Sequence, residues 1–151
     1  MDIYPVSCYL DIAVTTKAFR DNDLEILKEV IEDHQKEPKS TYRVINEVID
    51  NKLVGFIVFG RVPLTEYSWD IYWLAVRSDL QGKGIGKRLI EGAEAFIKAK
   101  TPKAVVRIET SIKKEYSAAH GLYERMKFKE MGRVPNFYSC GDDLIIYYKT
   151  Y

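Results

Sequence analysis

Between Trp69 and Lys100 the chain passes from an almost unbroken apolar run, WDIYWLAV, through a glycine-rich loop into a helical pattern. The loop and the helix start read LQGKGIGKRLI, with Gly82, Gly84 and Gly86 alternating with Lys83 and Ile85. This succession constrains the fold more than any other feature. An apolar run of this length suits a strand covered on both faces. It is expected to end near Val76, and the helix to begin near Gly84, with Ile85, Leu89, Ala93, Phe96 and Ile97 on one stripe. The first amides of a helix have no internal partners and share the positive end of its dipole, so they attract anions. Glycines let such a backbone approach a phosphate without a Cβ in the way, and they allow positive φ. Lys83, Lys87 and Arg88 add mobile positive charge, and the loop reads as a pyrophosphate cradle. The alternative is a glycine-rich turn that merely starts a helix.

Two common phosphate loops do not fit. The nucleoside-triphosphate loop needs G-x-x-x-x-G-K-S/T, but Arg88 follows Gly86-Lys87 and Gln81 stands where the first glycine should be. The dinucleotide fingerprint needs G-x-G-x-x-G, and Lys87 takes the place of its third glycine.

The remaining elements form a mixed series. Cys8 to Thr16 reads as a strand, because Tyr9, Ile12 and Val14 are strand formers. Asn22 and Asp23 are candidate caps of a helix with Glu25 in its first turn; Leu24, Leu27, Val30, Ile31 and His34 share a face, and Pro38 marks the end. Tyr42 to Ile49 and Leu53 to Phe59 form a hairpin around Asp50-Asn51. Pro63 sits in a loop. Lys103 to Thr110 is a strand, and Tyr116 to Lys127 a helix with Ala119, Leu122, Tyr123 and Met126 inward. Phe128 to Val134 and Leu144 to Lys149 close the chain as strands. The order predicts an α+β fold around one central sheet.

Composition sets limits on function. A length of 151 residues suits a single domain. With 23 Lys and Arg against 22 Asp and Glu the charge is near balance, unlike a dedicated nucleic-acid binder. Cys8 and Cys140 lack zinc-ligand spacing and read as free thiols; no metal is expected. Neither a signal peptide nor a run of ~18 apolar residues is apparent, so a cytoplasmic protein away from membranes is expected.

Gln81-Gly82-Lys83-Gly84-Ile85-Gly86 resembles the Q/R-x-x-G-x-G/A signature of the GCN5-related N-acetyltransferase (GNAT) family, and Leu74-Ala75-Val76 resembles the end of that family's fourth strand. The resemblance is close from about Trp69 onward and compatible over Asn22 to Gly60. It implies a GNAT-type acyl-CoA N-acyltransferase fold, with a mixed, mostly antiparallel sheet flanked by helices, and acetyl-CoA as co-substrate. It also implies that the loop from Gln81 through Lys87 holds the pyrophosphate, and that the backbone of Leu74 to Val76 binds the pantetheine arm like an added strand.

Acetyl transfer to an amine poses two proton problems. An amine of pKa near ~10 is protonated at neutral pH, and a leaving thiolate of pKa about 8.5 benefits from a donor. Ala119, Leu122, Tyr123 and Phe128 match the family's A-x-x-L/F-Y pattern, so by resemblance Tyr123 is the acid. Many relatives have Asn where Tyr116 stands; Tyr116 lines the cofactor site or packs. Strand alternation puts Asp70, Tyr72, Leu74 and Val76 on one face. Asp70 occupies the place of the catalytic Glu of the histone-acetylating branch, and Glu109 on VVRIETS is its rival for the base. Glu66 and Tyr67 in one loop, and Tyr138, Asp142 and Asp143 around a turn at Gly141-Asp142, suit a cationic amine acceptor, either a small molecule or a peptide. His34 and His120 read as surface or packing residues. LIIYY near the end is either a buried strand or a homodimer surface. A CoA-binding sensor without catalysis is the rival reading of the whole chain.

Overall fold

The computed structural model describes residues 3–37 and 41–151. Strands β1 (Tyr42–Ile49), β2 (Lys52–Arg61), β3 (Ser68–Val76), β4 (Val105–Ser111), β5 (Lys129–Ser139) and β6 (Asp142–Thr150) form one sheet in the order β1-β2-β3-β4-β6-β5. Among the described residues, only the β3–β4 pair is parallel. Helices α1 (Val6–Thr15) and α2 (Asp21–Lys36) pack on one face, and α3 (Ile85–Lys100) with α4 (Ser117–Arg125) on the other. This is the expected α+β plan. A parallel pair needs a long crossover, which α3 supplies.

Local chemistry accounts for most elements. Asp50 and Asn51 turn the β1–β2 hairpin with φ of 49° and 61°, the left-handed pair that a two-residue turn of this kind requires. Leu53 through Gly60 are buried without interruption, and β2 supplies side chains to cores on both faces. Ile85, Leu89, Ala93 and Ile97 of α3 are buried as their spacing predicts.

Several expectations need correction. Cys8 to Thr16 lies in α1, not in a strand. Tyr9, Ile12 and Ala13 follow i, i+3, i+4 spacing and bury one helical face, with Tyr9 edge-on to Phe56 at 5.2 Å. Helix α2 starts earlier than expected, with Arg20 as its N-cap. Asp23 is the third helical residue, and its Oδ2 accepts the Arg20 backbone N–H at 2.9 Å, whereas Asn22 and Glu25 do not cap. Pro38 lies outside the described residues. Tyr116 ends a 3-10 turn (Lys114–Tyr116) before α4. The last hairpin turns on Cys140-Gly141 rather than Gly141-Asp142, since Ser139 pairs with Asp142. LIIYY, by contrast, lies as one of its two readings expects, in β6, an interior strand with Ile145 and Tyr147 buried.

The decisive irregularity is in β3. Trp73 pairs with Val58 and Ile71 with Phe59, so Tyr72 is an extra residue with no partner on β2. The bulge reverses the alternation. Trp69, Ile71, Leu74 and Val76 face α3, while Trp73 and Ala75 face α1 and α2. Asp70 and Tyr72 therefore do not share a face with Leu74 and Val76. On the other side, β3 pairs with β4 only from Ser68–Val105 to Ile71–Ile108, and beyond that rung the two strands separate. Among the described residues, no helix is long and apolar enough to cross a membrane.

Candidate active site

The separating strands open a cleft of about 630 Å³. Tyr72, Trp73, Leu74 and Val76 form one wall, Ile108 through Ser111 the other, and the start of α3 with α4 closes the far side. Backbone groups of β3 beyond Ile71 face this opening without a β4 partner, and an extended ligand can pair with them as a strand would.

The loop before α3 forms one end. Gly82 and Gly84 have φ of 76° and 82°, the left-handed region where a side chain is strained. Gly84 is the N-cap, so the amides of Ile85, Gly86 and Lys87 open the helix without internal acceptors. A Cβ on Gly82 would meet nothing within 4 Å, which leaves its backbone open to a ligand. Gly86 has a different purpose: a Cβ there would come within 2.8 Å of Leu122 Cδ2, so its bare backbone lets α4 approach α3. Gln81 turns inward and donates from Nε2 to the Val76 carbonyl at 3.2 Å. Lys87 lines the cleft and lies 3.7 Å from Glu91. Arg88 is not a mobile charge; its guanidinium is fixed on Glu47 at 2.6 and 2.9 Å. Of the residues expected to hold a cofactor, Leu74, Val76, Gln81, Gly82, Gly84, Ile85, Gly86, Lys87 and Tyr116 line the cleft, whereas Lys83 does not and the Ala75 side chain is buried under α1 and α2.

The middle of the cleft carries Tyr123 and Glu109. Tyr123 is 5% exposed, with its ring between Phe128 and Tyr147 at centroid distances of 6.1 and 5.7 Å. Burial pushes its hydroxyl well above the ordinary tyrosine range, so it stays protonated. Glu109 has a side chain 41% exposed, and Oε1 lies 3.4 Å from Arg107 Nη1. Asp70 is absent from the cleft lining. Its two oxygens accept Arg107 Nε and Nη2, each at 2.8 Å, across the β3–β4 pairing. It fixes Arg107, which in turn stands beside Glu109.

The opposite end is built from segments with no motif in the sequence to mark them as part of a site. Thr16, Ala18, Phe19 and Arg20, from the connection between α1 and α2, and Asp23 in the first turn of α2 line it with Tyr116 and Tyr138. Tyr116 donates from its hydroxyl to the Ala18 carbonyl at 2.6 Å, and burial pushes that hydroxyl up to about 12. The Arg20 guanidinium sits 4.8 Å over the Tyr138 ring, and its Nε donates to Asp23 at 3.2 Å. Burial first, and then the charge of Glu109, raise the Tyr138 hydroxyl. Glu66 and Tyr67 lie outside the cleft. Asp142 is buried at 2% exposure, where it accepts the Ser111 hydroxyl and faces Lys113, and Asp143 accepts the Asn136 amide at 2.8 Å; both brace the hairpin. His120 packs on Tyr147 and contacts the Ser111 carbonyl, and His34 contacts the Tyr42 carbonyl. Among the described residues, no group of three His, Cys, Asp or Glu could hold a metal.

Comparison with known proteins identifies the family of this fold. The profile of the acetyltransferase (GNAT) domain matches residues 38–130. A protein assigned to the acetyltransferases of the GNAT family from Desulfovibrio desulfuricans is 25% identical and superposes with a TM-score of 0.85, over 98% of this chain and 94% of that one. An aminoglycoside 6'-N-acetyltransferase complexed with coenzyme A is 18% identical, with a TM-score of 0.73 over 96% and 89%. The ribosomal-protein-S18-alanine N-acetyltransferase of Escherichia coli is also 18% identical, with a TM-score of 0.73 over 99% and 91%. No curated protein sequence matches this chain.

Proposed function

Because this chain belongs to the GNAT acetyltransferase family, we propose that it moves an acetyl group from acetyl-CoA to the primary amine of an acceptor by direct attack. The observation that carries the reading is convergence on one cleft. A glycine-lined set of helix amides, an unpaired strand backbone, a carboxylate and a buried tyrosine all open onto it. The glycine cradle fits a pyrophosphate, because Gly82 and Gly84 keep side chains away from the helix amides. Coenzyme A, when bound, supplies an acetyl group activated as a thioester.

The chain's own residues handle orientation and protons. Leu74 to Val76 offer strand backbone along which the pantetheine arm lies. Lys87 adds positive charge at the pyrophosphate. Glu109, which lines the cleft, rather than Asp70, which lies outside it with both oxygens on Arg107, accepts the proton from the acceptor's ammonium, directly or through one water. Tyr123 donates its Oη proton to the departing sulfur, and its burial keeps that proton in place at neutral and alkaline pH. The amine nitrogen bonds to the acetyl carbon, the carbon–sulfur bond breaks, and the free thiol leaves; the second proton that the nitrogen sheds on becoming an amide restores the Tyr123 hydroxyl.

Thiol release from acetyl-CoA against a panel of amines tests this reading. The panel contains polyamines, amino acids, peptides with free N-termini, lysine peptides and aminoglycosides. Release that depends on an amine supports transfer. Binding of acetyl-CoA with no release across the panel supports the rival reading, a CoA-binding module without catalysis.

A further inference from the structure

The end of the cleft away from the glycine cradle carries information about the acceptor. Two long-range contacts roof it. The Tyr116 hydroxyl ties Ala18 to the start of α4, and Arg20 stacks over Tyr138 of β5. The α1–α2 connection is thereby joined to both neighbours and borders the acceptor end of the cleft. A cleft of about 630 Å³ that also takes a pantetheine arm leaves room there for a small molecule.

Arg20 is held in an oriented state. Its face lies against an aromatic ring and its Nε bonds Asp23. Among the described residues, its Nη donors have no acceptor. A guanidinium fixed in this way presents a planar fork that matches a carboxylate. The charges nearby sort themselves. Asp70 takes Arg107 Nε and Nη2 and Asp23 is engaged by Arg20, whereas Glu109 lines the cleft with its side chain 41% exposed beside Arg107 Nη1 and can meet an ammonium. Tyr138 stands between the two poles, with Arg20 over its ring and Glu109 acting on its hydroxyl.

We propose that the acceptor is a small molecule bearing a carboxylate together with its primary amine, with the carboxylate held by Arg20 and the amine delivered to Glu109. A polyamine would bring a second cation against Arg20. The inference rests on the acetyl-transfer reading above.

The test uses the full chain and thiol release from acetyl-CoA. The acceptors are α-, β- and γ-amino acids, each matched with its carboxamide and its decarboxylated amine. The two partners bracket the amino acid in amine basicity, so basicity cannot mimic a carboxylate preference. For at least one triad, kcat/KM should be about 10- to 100-fold higher for the carboxylate-bearing member, the range of one charge-assisted contact. In Arg20→Gln that ratio should collapse to about one. Equal or better rates with the carboxamide or decarboxylated amine in every triad overturn the inference, as does a ratio that survives in Arg20→Gln. Release without a carboxylate preference overturns this inference alone. Silence across all acceptors, with acetyl-CoA bound, overturns the acetyl-transfer reading and this inference with it.

Discussion

Gly84→Val is the most direct perturbation of the cradle. Gly84 has φ of 82°, and an added Cβ would find ordinary space, with Arg88 Nη1 at 3.6 Å. The cost is therefore conformational rather than steric. An L-residue in the left-handed region costs about 1–2 kcal/mol, and a β-branched one more. A domain stable by about 5–15 kcal/mol survives that. The strain is relieved if residue 84 rotates out of the left-handed region, which swings the opening amides of α3 away from their common direction. Losing two amide contacts to a charged oxygen, each worth about 1.5–3 kcal/mol, weakens binding by about 10²- to 10⁴-fold. Calorimetric titration with acetyl-CoA measures the loss, and urea unfolding confirms a folded chain. Gly86→Ala is the contrast. Its Cβ crowds the flexible end of Leu122 at 2.8 Å and makes an ordinary contact with Leu74 at 3.9 Å, so it should lower stability modestly and leave binding within about tenfold. If Gly84→Val bound acetyl-CoA within about threefold of the natural chain, the anion would not sit on these amides.

Three further outcomes are expected. Tyr123→Phe should slow turnover by about 10²- to 10⁴-fold, equally at pH 7 and pH 9, because burial keeps the natural hydroxyl protonated across that range; unchanged turnover removes Tyr123 from the acid role. Glu109→Gln should lose kcat on a similar scale while acetyl-CoA affinity, read by calorimetry, stays within a few-fold, whereas Asp70→Asn should act mainly through the Arg107 ion pair and appear in stability; full activity in Glu109→Gln would falsify the base assignment. The third concerns pH and stability. Burial, more than any other cause, lowers the His34 pKa in the fold, so the unfolded chain binds that proton more readily. Stability from this residue is present above the ordinary value of about 6.5 and is lost as pH falls toward the depressed one. Urea midpoints of His34→Gln should therefore decline less between pH 7 and pH 5 than those of the natural chain; parallel declines would exclude the effect.

The features legible in the sequence were those set by neighbouring residues. Asp50-Asn51 specifies its own turn, Gly82 and Gly84 their own left-handed backbone, and the stripe on α3 its own burial. The helix α1 was missed because strand-forming side chains at Tyr9, Ile12 and Val14 obscured a short face that only the core against β2 reveals. The bulge at Tyr72 has no glycine or other local mark, yet one extra residue sends Asp70 to the opposite side from Leu74 and Val76. The choice between Asp70 and Glu109 was undecidable along the chain, since it depends on Arg107 lying across the β3–β4 rung. The acceptor end was hidden for the same reason: Tyr116 and Ala18 meet across 98 positions of sequence, and no periodicity records such a contact.

The position of the cleft follows from the one parallel pair. Strands β3 and β4 run the same way, so the chain must cross over between them, and α3 begins where β3 ends. A helix N-terminus is thereby set beside the carboxyl ends of two strands. If those strands paired along their whole length, the amides would face a closed sheet edge. The bulge at Tyr72 lies one residue beyond the last rung, Ile71–Ile108, where pairing stops. Past that rung, β3 has backbone to spare, β4 presents Glu109, and α4 brings Tyr123 against the same opening. In the proposed reading, binding and chemistry therefore share a single structural cause. A substitution that restores pairing beyond Ile71 should close the cofactor strand site and separate Glu109 from Tyr123 in the same step, with acetyl-CoA affinity and turnover lost together rather than one at a time.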